Sequence, residues 1–552
     1  MSARLKVARK RNYPILASLA LTALVACTAV VSEDPVQCST DEDCAARGPD
    51  FVDSICGPNG TCVEKPAPPP ECTKHSECAA KGPDFVCSEL SGTCQKVTSD
   101  DCQVAYGNPT EDGTILLGLL SEISREDTLY FRHNQYLSAA QLAFVEFFEK
   151  SGVLLPGGGK AALVACTEHF PRRASAHLAN IGVKAIIGPA DEGRQKAVVE
   201  TILPVKVPSF TPWMNGNPSA VIPESGQVTY FPAFQRPEVV APVNALMKEL
   251  EPRVKQEHGV QSLRVAVIIN KTTTSAYDTY AEYGDLMDQR LVFNGKSAVE
   301  NERDVGCGNC YKRFPTSQAT PPVVEERAKA IIAFKPDIIV PFADIDWGAQ
   351  LLPKLEFEYE KEPAEVPRPY YLHPFLQIED QGYKFLKVSD AAVRQRVTGI
   401  RPLRDNSFEV FANKFREFTR PKSAPEKLGP EPNPGAGRAF ETTLLLLFAS
   451  YAAMVEEPNA TPQQVAAAVT KVTQRGAPQK ITLNDIPIGI QRLNAKEPID
   501  LEGLFTFFDF DPQTHAASAI WTTWCVGDKG QYLSQNRVFD GTVFGGSATP
   551  CQ

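Results

Sequence analysis

Apolar runs of strand length alternate with amphipathic segments along the main part of the chain. The run GTILLGLLSEIS at 113–124 begins as a buried strand, and LSAAQLAFVEFFEKSG at 137–152 places its apolar residues at helical spacing. Strand and helix patterns follow in that order at 160–182 and at 183–203, and a strand pattern covers 207–213. Strands that alternate with helices over short connections predict parallel βαβ units, with helices on both faces of each sheet.

The pattern then starts again, which predicts a second α/β lobe. A strand at 263–271 precedes a helix near 277–291, a helix and a strand share 326–343, and 369–374 is a further strand candidate. A chain of 552 residues is also too long for a single core. Ligands of open parallel sheets bind outside the carboxyl ends of the strands, so we expect a ligand cleft between the lobes.

Segments taken in order along 103–540 resemble the type I periplasmic-binding family, which includes the branched-chain amino-acid receptors of ABC importers. The matching segments are 147–169 (FFEKSGVLLPGGGKAALVACTEH), 178–193 (LANIGVKAIIGPADEG), 207–213, 397–418, 438–452 and 501–524. The resemblance implies an α/β fold of two parallel-sheet, Rossmann-like lobes joined by a hinge. The family's chain crosses between the lobes three times. This implies lobe 1 at about 103–235 and 376–515, and lobe 2 at about 236–375 and 516–552.

The resemblance also implies candidate ligand residues at the strand ends of the first lobe. In the family, Ser or Thr hydroxyls and backbone N–H groups after the third and fourth strands bind a ligand carboxylate. This chain has Asp191 and Glu192 at the first position, and Thr211 and Trp213 at the second. Two carboxylates repel an anion, which favours a cationic or neutral polar ligand stacked on Trp213. Alternatively, Asp191 caps its helix and Glu192 faces solvent.

In the second lobe, further candidates follow predicted strands. Ser275 and Tyr277 follow the strand at 263–271, where the family has a cleft tyrosine. The other candidates follow the strand IIVPFA or lie in the strand at 369–374, and they are Asp344, Asp346, Trp347, Tyr371 and His373. Each of them has ordinary loop or packing duty as an alternative.

The N-terminus has the features of an export signal. Residues 1–14 are basic, and the apolar run at 15–26 is too short to span a hydrocarbon core of about 30 Å. LVAC at 24–27 resembles a bacterial lipobox, which implies lipidation of Cys27, a membrane anchor and a place in the bacterial cell envelope. Thr28, in place of Asp, favours the outer membrane or periplasmic face. A plain signal peptide with an incidental Cys27 is the alternative. The apolar segment 443–454 is predicted to be a buried helix.

Most of the 15 cysteines precede the two lobes, as expected for an oxidising compartment. The echoed octapeptides AARGPDFV (45–52) and AAKGPDFV (79–86) mark two short repeats whose cysteines are Cys38, Cys44, Cys56 and Cys62, then Cys72, Cys78, Cys87 and Cys94. Neither repeat is large enough for a hydrophobic core, so two disulfides each must hold them, with connectivity open among three pairings. We interpret them as a stalk. Solvated acidic residues account for STDEDC (39–44) better than a metal site does.

The resulting domain prediction has six parts. They are a signal peptide at 1–26, a tether at 27–37, repeat 1 at 38–62, a Pro-rich linker at 63–71, repeat 2 at 72–102 and the body at 103–552. In the body, Cys307 and Cys310 are close enough in sequence for a structural bridge, with a redox pair as the alternative. The remaining expected pairs are Cys102 with Cys166 and Cys525 with Cys551.

Composition and motifs argue against nucleic-acid binding and against catalysis. The net charge is −10, whereas phosphate backbones need clustered Lys and Arg. PGGGKAA at 156–162 lacks the first Gly and the hydroxyl residue of a phosphate loop, and no catalytic or metal motif occurs. We therefore expect no enzyme and no cofactor. The expected function is a solute-binding lipoprotein with a small-molecule ligand and an ABC permease or sensor as partner. The alternative is a surface display lipoprotein whose cleft no longer binds a ligand.

Overall fold

The computed structural model has two compact units, Met1–Pro70 and Glu71–Gln552, so the division falls in the Pro-rich segment. It describes residues 38–48, 51, 53–64, 69–121, 130–190, 192–212, 228–232, 236–270, 279–316, 320–342, 345–363, 365–374, 385–387, 389–402, 406–421, 426–474, 476–477, 480–511 and 514–546.

The first repeat is a disulfide-held turn and hairpin in the first unit. Helix α1 (Asp41–Ala45) precedes the antiparallel strands β1 (Ser54–Cys56) and β2 (Cys62–Glu64). The disulfides join Cys38 with Cys56 and Cys44 with Cys62. The first cysteine therefore pairs with the third and the second with the fourth, which resolves the connectivity that the sequence left open.

The second repeat has the same connectivity, Cys72 with Cys87 and Cys78 with Cys94. Its elements are a 3-10 helix at His75–Lys81 and the hairpin β3 (Phe85–Ser88) and β4 (Thr93–Lys96).

The second repeat is not a free stalk, because it packs against the first lobe within the second unit. Ser76 donates from its backbone N and from Oγ to the Asp112 carboxylate, at 2.8 and 2.7 Å. His75 Nε2 lies 3.3 Å from Thr114 O. Val86 and Val97 are fully buried against the first sheet of the lobe. The stalk interpretation is therefore wrong for repeat 2.

A six-stranded sheet forms the centre of the first lobe, in the order β10-β9-β8-β6-β7-β5. Only β5 is antiparallel to its neighbour. The strands are β5 (Cys102–Tyr106), β6 (Ile115–Ser121), β7 (Ala161–Thr167), β8 (Ala185–Ile187), β9 (Ser209–Phe210) and β10 (Thr229–Tyr230). Cys102 lies opposite Cys166 across β5 and β7, and the predicted disulfide between them is present.

Helices cover both faces of this sheet, because alternate strand residues point to opposite sides. On one face Leu117 and Leu119 pack with α2 (Tyr130–Phe144) and with helices from late in the chain. On the other face Leu116 and Leu120 pack with α3 (Pro171–Asn180) and α4 (Glu192–Ile202). Gly118 lets α3 approach, since a Cβ there would lie 2.9 Å from Leu178 Cδ1.

The second lobe contains an eight-stranded sheet in the order β14-β11-β15-β16-β17-β22-β23-β24, parallel up to β17 and antiparallel beyond it. Its strands are β11 (Val265–Asn270), β14 (Tyr311–Thr316), β15 (Ile338–Phe342), β16 (Tyr370–His373), β17 (Val397–Pro402), β22 (Trp521–Val526), β23 (Tyr532–Phe539) and β24 (Phe544–Gly545). The helices of this lobe are α5 (Val240–His258), α6 (Thr279–Arg290), α7 (Ala298–Glu302), α8 (Pro321–Phe334), α9 (Ile345–Tyr359) and α10 (Ala391–Gln395).

The predicted limit of lobe 2 at residue 375 is too early, because β17 pairs with β16 and β22 inside the second sheet. The chain returns to the first lobe only with α11 (Asn406–Phe418), followed by α12 (Pro434–Glu456), α13 (Pro462–Val472) and α14 (Ile486–Asn494). Short pairs complete the described strands: β12 (Val292–Phe293) with β13 (Lys296–Ser297), β18 (Lys480–Ile481) with β19 (Asp500–Leu501), and β20 (Thr506–Phe507) with β21 (Ser518–Ala519).

Helix α12 contains the segment predicted to be a buried helix, and that prediction is confirmed. Among the described residues, Gly435–Glu456 is the one stretch long and apolar enough to cross a membrane, but most of it is buried inside the protein. Leu445, Leu446 and Leu447 are fully buried in the core of the first lobe.

The remaining predicted disulfides lie in the second lobe. Cys307 and Cys310 are bonded to each other at the end of a short 3-10 turn. Cys525 is disulfide-bonded, and its predicted partner Cys551 lies outside the described residues.

Candidate functional site

The carboxyl ends of β6, β7, β8 and β9 meet at one edge of the first sheet, where ligands of open parallel sheets bind. Gly188 follows β8 at this edge with a φ of 106°, and a Cβ there would lie 2.2 Å from Leu120 O. No other residue fits this backbone without displacing β6. Ser209 Oγ donates to Gly188 O at 2.6 Å and ties β9 to the same loop.

Glu168 directly follows β7, and its side chain is 1% exposed. Its Oε2 accepts the Ala190 N–H at 2.6 Å, and its Oε1 lies 3.2 Å from Arg194 Nη1. Ala190 lies two residues before α4, and Arg194 is in the first turn of that helix. A carboxylate of the protein itself is therefore held at the loop where the sequence resemblance implies a ligand anion.

Thr211 follows β9 and is fully buried. Its backbone N donates to Tyr230 O at 2.9 Å, and its Oγ1 donates to the same oxygen at 3.3 Å. The hydroxyl that the sequence analysis offers to a ligand is thus directed toward a backbone carbonyl of β10. A ligand-binding role for Thr211 stays a prediction.

An aromatic stack lies where the chain crosses between the lobes. The Tyr230 ring lies between Phe210 and His515, with centroids 4.6 Å from each and nearly parallel planes. Phe231 exchanges two backbone hydrogen bonds with the other crossing segment, its N donating to His515 O and its O accepting from Ala517 N, both at 2.8 Å. Burial raises the pKa of Tyr230 and lowers the pKa of His515. None of these residues is among the ligand residues predicted from the sequence.

Two candidates of the second lobe are buried among core residues. The Tyr371 hydroxyl donates to Glu356 Oε1 at 2.7 Å, and Arg396 donates to both oxygens of that carboxylate at 2.9 and 2.7 Å. Tyr371 therefore belongs to a core network. His373 ends β16 beside Trp524, with ring centroids 6.0 Å apart, and burial lowers its pKa to about 3. Its Nε2 has no hydrogen-bond partner within the described part of the chain.

The other predicted ligand residues are only partly described. Asp191, Trp213, Ser275, Tyr277 and Asp344 lie outside the described residues. The backbones of Glu192, Asp346 and Trp347 lie in the first turns of α4 and α9, the helices that follow β8 and β15. These positions are at the carboxyl ends of the strands. Contact with a ligand stays a prediction for all eight residues.

Two cavities of the second unit lie away from this edge. One of about 530 Å³ is lined by the second repeat, by Thr114 just before β6 and by Lys184 just before β8. Another of about 480 Å³ is lined by Arg253, and by Tyr370 at the start of β16. Both are at the amino ends of strands, whereas the ligand edge is at the carboxyl ends.

The described residues hold no candidate metal centre outside the disulfides. The groups of metal-ligating side chains close enough to share an ion are Cys38, Cys44 and Cys62, and Cys72, Cys78 and Cys87. All six are disulfide-bonded, which removes the thiolates that a metal needs.

Solved structures show which class of protein has this fold. A leucine-binding protein LivK from Thermotoga maritima superposes with a TM-score of 0.50 at 13% identity, covering 77% of this chain and 99% of its own. An amino acid ABC transporter substrate-binding protein from Pseudomonas fluorescens superposes with a TM-score of 0.50 at 12% identity, covering 79% of this chain and 96% of its own. The body therefore has the type I periplasmic-binding fold, as the resemblance implied.

Other comparisons give no match. No family model matches the chain, and none of the curated proteins matches it.

Proposed function

We propose that this protein is a membrane-anchored solute-binding lipoprotein, which captures a small polar ligand between its lobes for ABC-type transport or sensing. The observation that carries the proposal is a pair of parallel sheets joined by chain crossings, a fold shared with transporter substrate-binding proteins. Hinged closure on a ligand is the motion that such lobes make.

The proposed ligand is cationic or neutral and polar. The acidic residue types of Asp191 and Glu192, in the loop where the resemblance implies a ligand anion, support this class, because carboxylates repel an anion and attract a cation. Trp213 is the proposed stacking surface. The proposed contacts of the second lobe are Ser275, Tyr277, Asp344, Asp346 and Trp347.

The proposed location is the bacterial cell envelope, with lipidated Cys27 as the anchor and the outer membrane or periplasmic face as its place. The lipobox-like LVAC supports it. A Cys27→Ser variant is expected to lose lipid labelling and to move from the membrane fraction to the soluble fraction. A variant that stays membrane-bound argues against this anchor.

A thermal-shift screen of the full chain with Cys27→Ser tests the solute-binding role. A cationic or neutral solute that raises the melting temperature in a saturable way is the expected result. Calorimetry then measures the affinity of this solute for the parent, for Asp191→Asn and for Glu192→Gln. A cationic solute is expected to bind both variants more weakly than the parent. If no solute in a broad library binds, the solute-binding role is contradicted. The alternative, a surface display lipoprotein whose cleft no longer binds a ligand, is then favoured.

A further inference from the structure

Glu168 is a buried acid at the edge of the first sheet where the carboxyl ends of the strands meet. It follows an apolar strand, where a charged side chain is costly to bury without partners. Its partners are the Ala190 N–H and the Arg194 guanidinium, one on each carboxylate oxygen. The carboxylate is therefore held by hydrogen-bonding and ionic contacts at this edge.

The same partners are the groups with which proteins bind anions. Backbone N–H groups and Arg guanidinium groups both donate hydrogen bonds to anions; here the N–H lies two residues before α4, and the Arg lies in the first turn of that helix. In this chain both groups contact Glu168. An anionic ligand group would have to displace the side chain or lie beside a fixed negative charge.

Neighbouring donors at this edge are also engaged with the protein. Ser209 Oγ donates to Gly188 O at 2.6 Å, and Thr211 Oγ1 donates to Tyr230 O at 3.3 Å. Both residues are fully buried. In their described conformations these hydroxyls direct their protons to backbone carbonyls and leave little hydrogen-bonding capacity for a ligand carboxylate.

We propose that Glu168 determines specificity by occupying the anion position of the first lobe, so that the cleft takes solutes that bring no carboxylate to this edge. The ligand class rests on the proposed solute-binding role. The occupancy of the anion position by Glu168 rests only on the contacts described above and is testable without any ligand.

Chemical rescue tests the occupancy. Glu168→Ala in the full chain with Cys27→Ser removes a fragment that has the same non-hydrogen atoms as acetate. Acetate is expected to raise the melting temperature of this variant saturably, by about 1 °C at ten times its Kd. Acetamide, the neutral isostere of acetate, is expected to leave the melting temperature of Glu168→Ala unchanged. Acetate is expected to leave that of the parent with Glu168 unchanged. Arg194→Gln in the Glu168→Ala background is expected to weaken acetate binding at least about tenfold.

If the alanine variant refolds poorly, Glu168→Gln is a second variant on which the proposal can be tested. The amide oxygen can still accept the Ala190 N–H, but the negative charge opposite Arg194 is lost, so a lower melting temperature than that of the parent is expected. Refolding of Glu168→Ala with acetate, and not with acetamide, supports the proposal as well. A glutamine variant as stable as the parent, or an alanine variant indifferent to acetate, overturns the occupancy.

Matched probes test the ligand class. L-leucine is compared with L-leucinamide, and L-arginine with agmatine, by calorimetry on the Glu168 parent and on Glu168→Ala. On the parent, the member without a carboxylate is expected to bind at least as tightly as its partner. On the alanine variant, the carboxylate member is expected to gain about tenfold. A carboxylate member that binds the parent tenfold more tightly overturns the class. If no probe binds either protein but acetate stabilises Glu168→Ala, the solute-binding role is contradicted and the occupancy of the anion position by Glu168 is still supported.

Discussion

Glu356 shows how a buried charge is stabilised in the core of the second lobe. Its carboxylate accepts hydrogen bonds from Tyr371 and from two nitrogens of Arg396, and Arg368 Nη1 lies 3.4 Å away. Burial and the adjacent carboxylate raise the pKa of Tyr371 well above its usual range. The network is a property of the core, which explains why Tyr371 is not available to a ligand.

Glu356→Gln is expected to destabilise the protein by about 3–5 kcal/mol, because Arg396 keeps its charge in the core without a counter-charge. Denaturant unfolding followed by circular dichroism measures it. Glu325→Gln, on the exposed surface where Glu325 pairs with Lys329, is the matched control and is expected to leave stability nearly unchanged. Equal effects of the two substitutions would contradict the account.

His373 predicts a dependence of stability on pH. Burial lowers its pKa to about 3 from 6.5. Between these two values His373 binds a proton in the unfolded chain but not in the folded one. The free energy of unfolding therefore falls as the pH drops below about 6.5 toward 3.

Between pH 6.5 and pH 4.5 this single group accounts for a loss of about 2 kcal/mol. In the His373→Phe variant, the free energy of unfolding is expected to fall less steeply with decreasing pH by this amount. Denaturant titrations at several pH values measure it. An unchanged slope would mean that His373 binds its proton equally in the folded and unfolded chain.

At the residue scale, the sequence predicts the chemical character of a site more readily than the contacts that its residues make. One partner of Glu168 is the Ala190 N–H, and nothing in either residue type predicts this contact. An acid placed directly after an apolar strand was the available signal. The stack of Tyr230 on His515 joins residues far apart in the chain, and only the fold brings them together.

At the scale of elements, the two cysteine-rich repeats share a construction, and the second one packs against the first lobe. In repeat 1 the Cys56 N–H donates to Asp41 Oδ1 at 2.8 Å, and in repeat 2 the Cys87 N–H donates to His75 Nδ1 at 3.1 Å. Asp41 and His75 therefore occupy equivalent positions. The second nitrogen of His75 remains for Thr114 O, a contact that an acid at this position does not supply.

Giving repeat 2 the residues of repeat 1 is expected to detach it from the first lobe. His75→Asp with Ser76→Glu places two carboxylates against Asp112, which Ser76 contacts in the native protein. Faster hydrogen exchange at 72–97 and earlier proteolysis near 97–101 are the expected results. The matched control, Thr40→Lys with Glu42→Ser in repeat 1, is expected to leave both unchanged. Unchanged protection in the double variant of repeat 2 would show that its other contacts, such as the buried Val86 and Val97 and the Lys184–Glu89 ion pair, are sufficient to hold it.

The sequence predicts the elements of the body better than their grouping. The buried helix at 443–454 follows from local pattern and is confirmed, and the expected Cys102–Cys166 bridge is present. The membership of β17 in the second sheet depends on pairing with β22, more than a hundred residues later, which periodicity does not show. For the same reason the docking of repeat 2 was missed: its contacts are specific to the folded lobe.

At the scale of the whole molecule, the proposed solute binding requires two lobes that close over a ligand. The crossing at Phe231 and Ala516 supplies a short paired connection, and the stacked rings of Phe210, Tyr230 and His515 lie next to it. Such connections absorb the change of backbone angle when lobes move as rigid bodies. Ligand binding and lobe closure are therefore expected to occur together.

Small-angle X-ray scattering of the full chain with Cys27→Ser, with and without the strongest solute from the thermal screen, tests this claim most directly. The account predicts a smaller radius of gyration that tracks saturation of the solute, as closure of the two lobes requires. A profile that stays the same at saturating solute would contradict it.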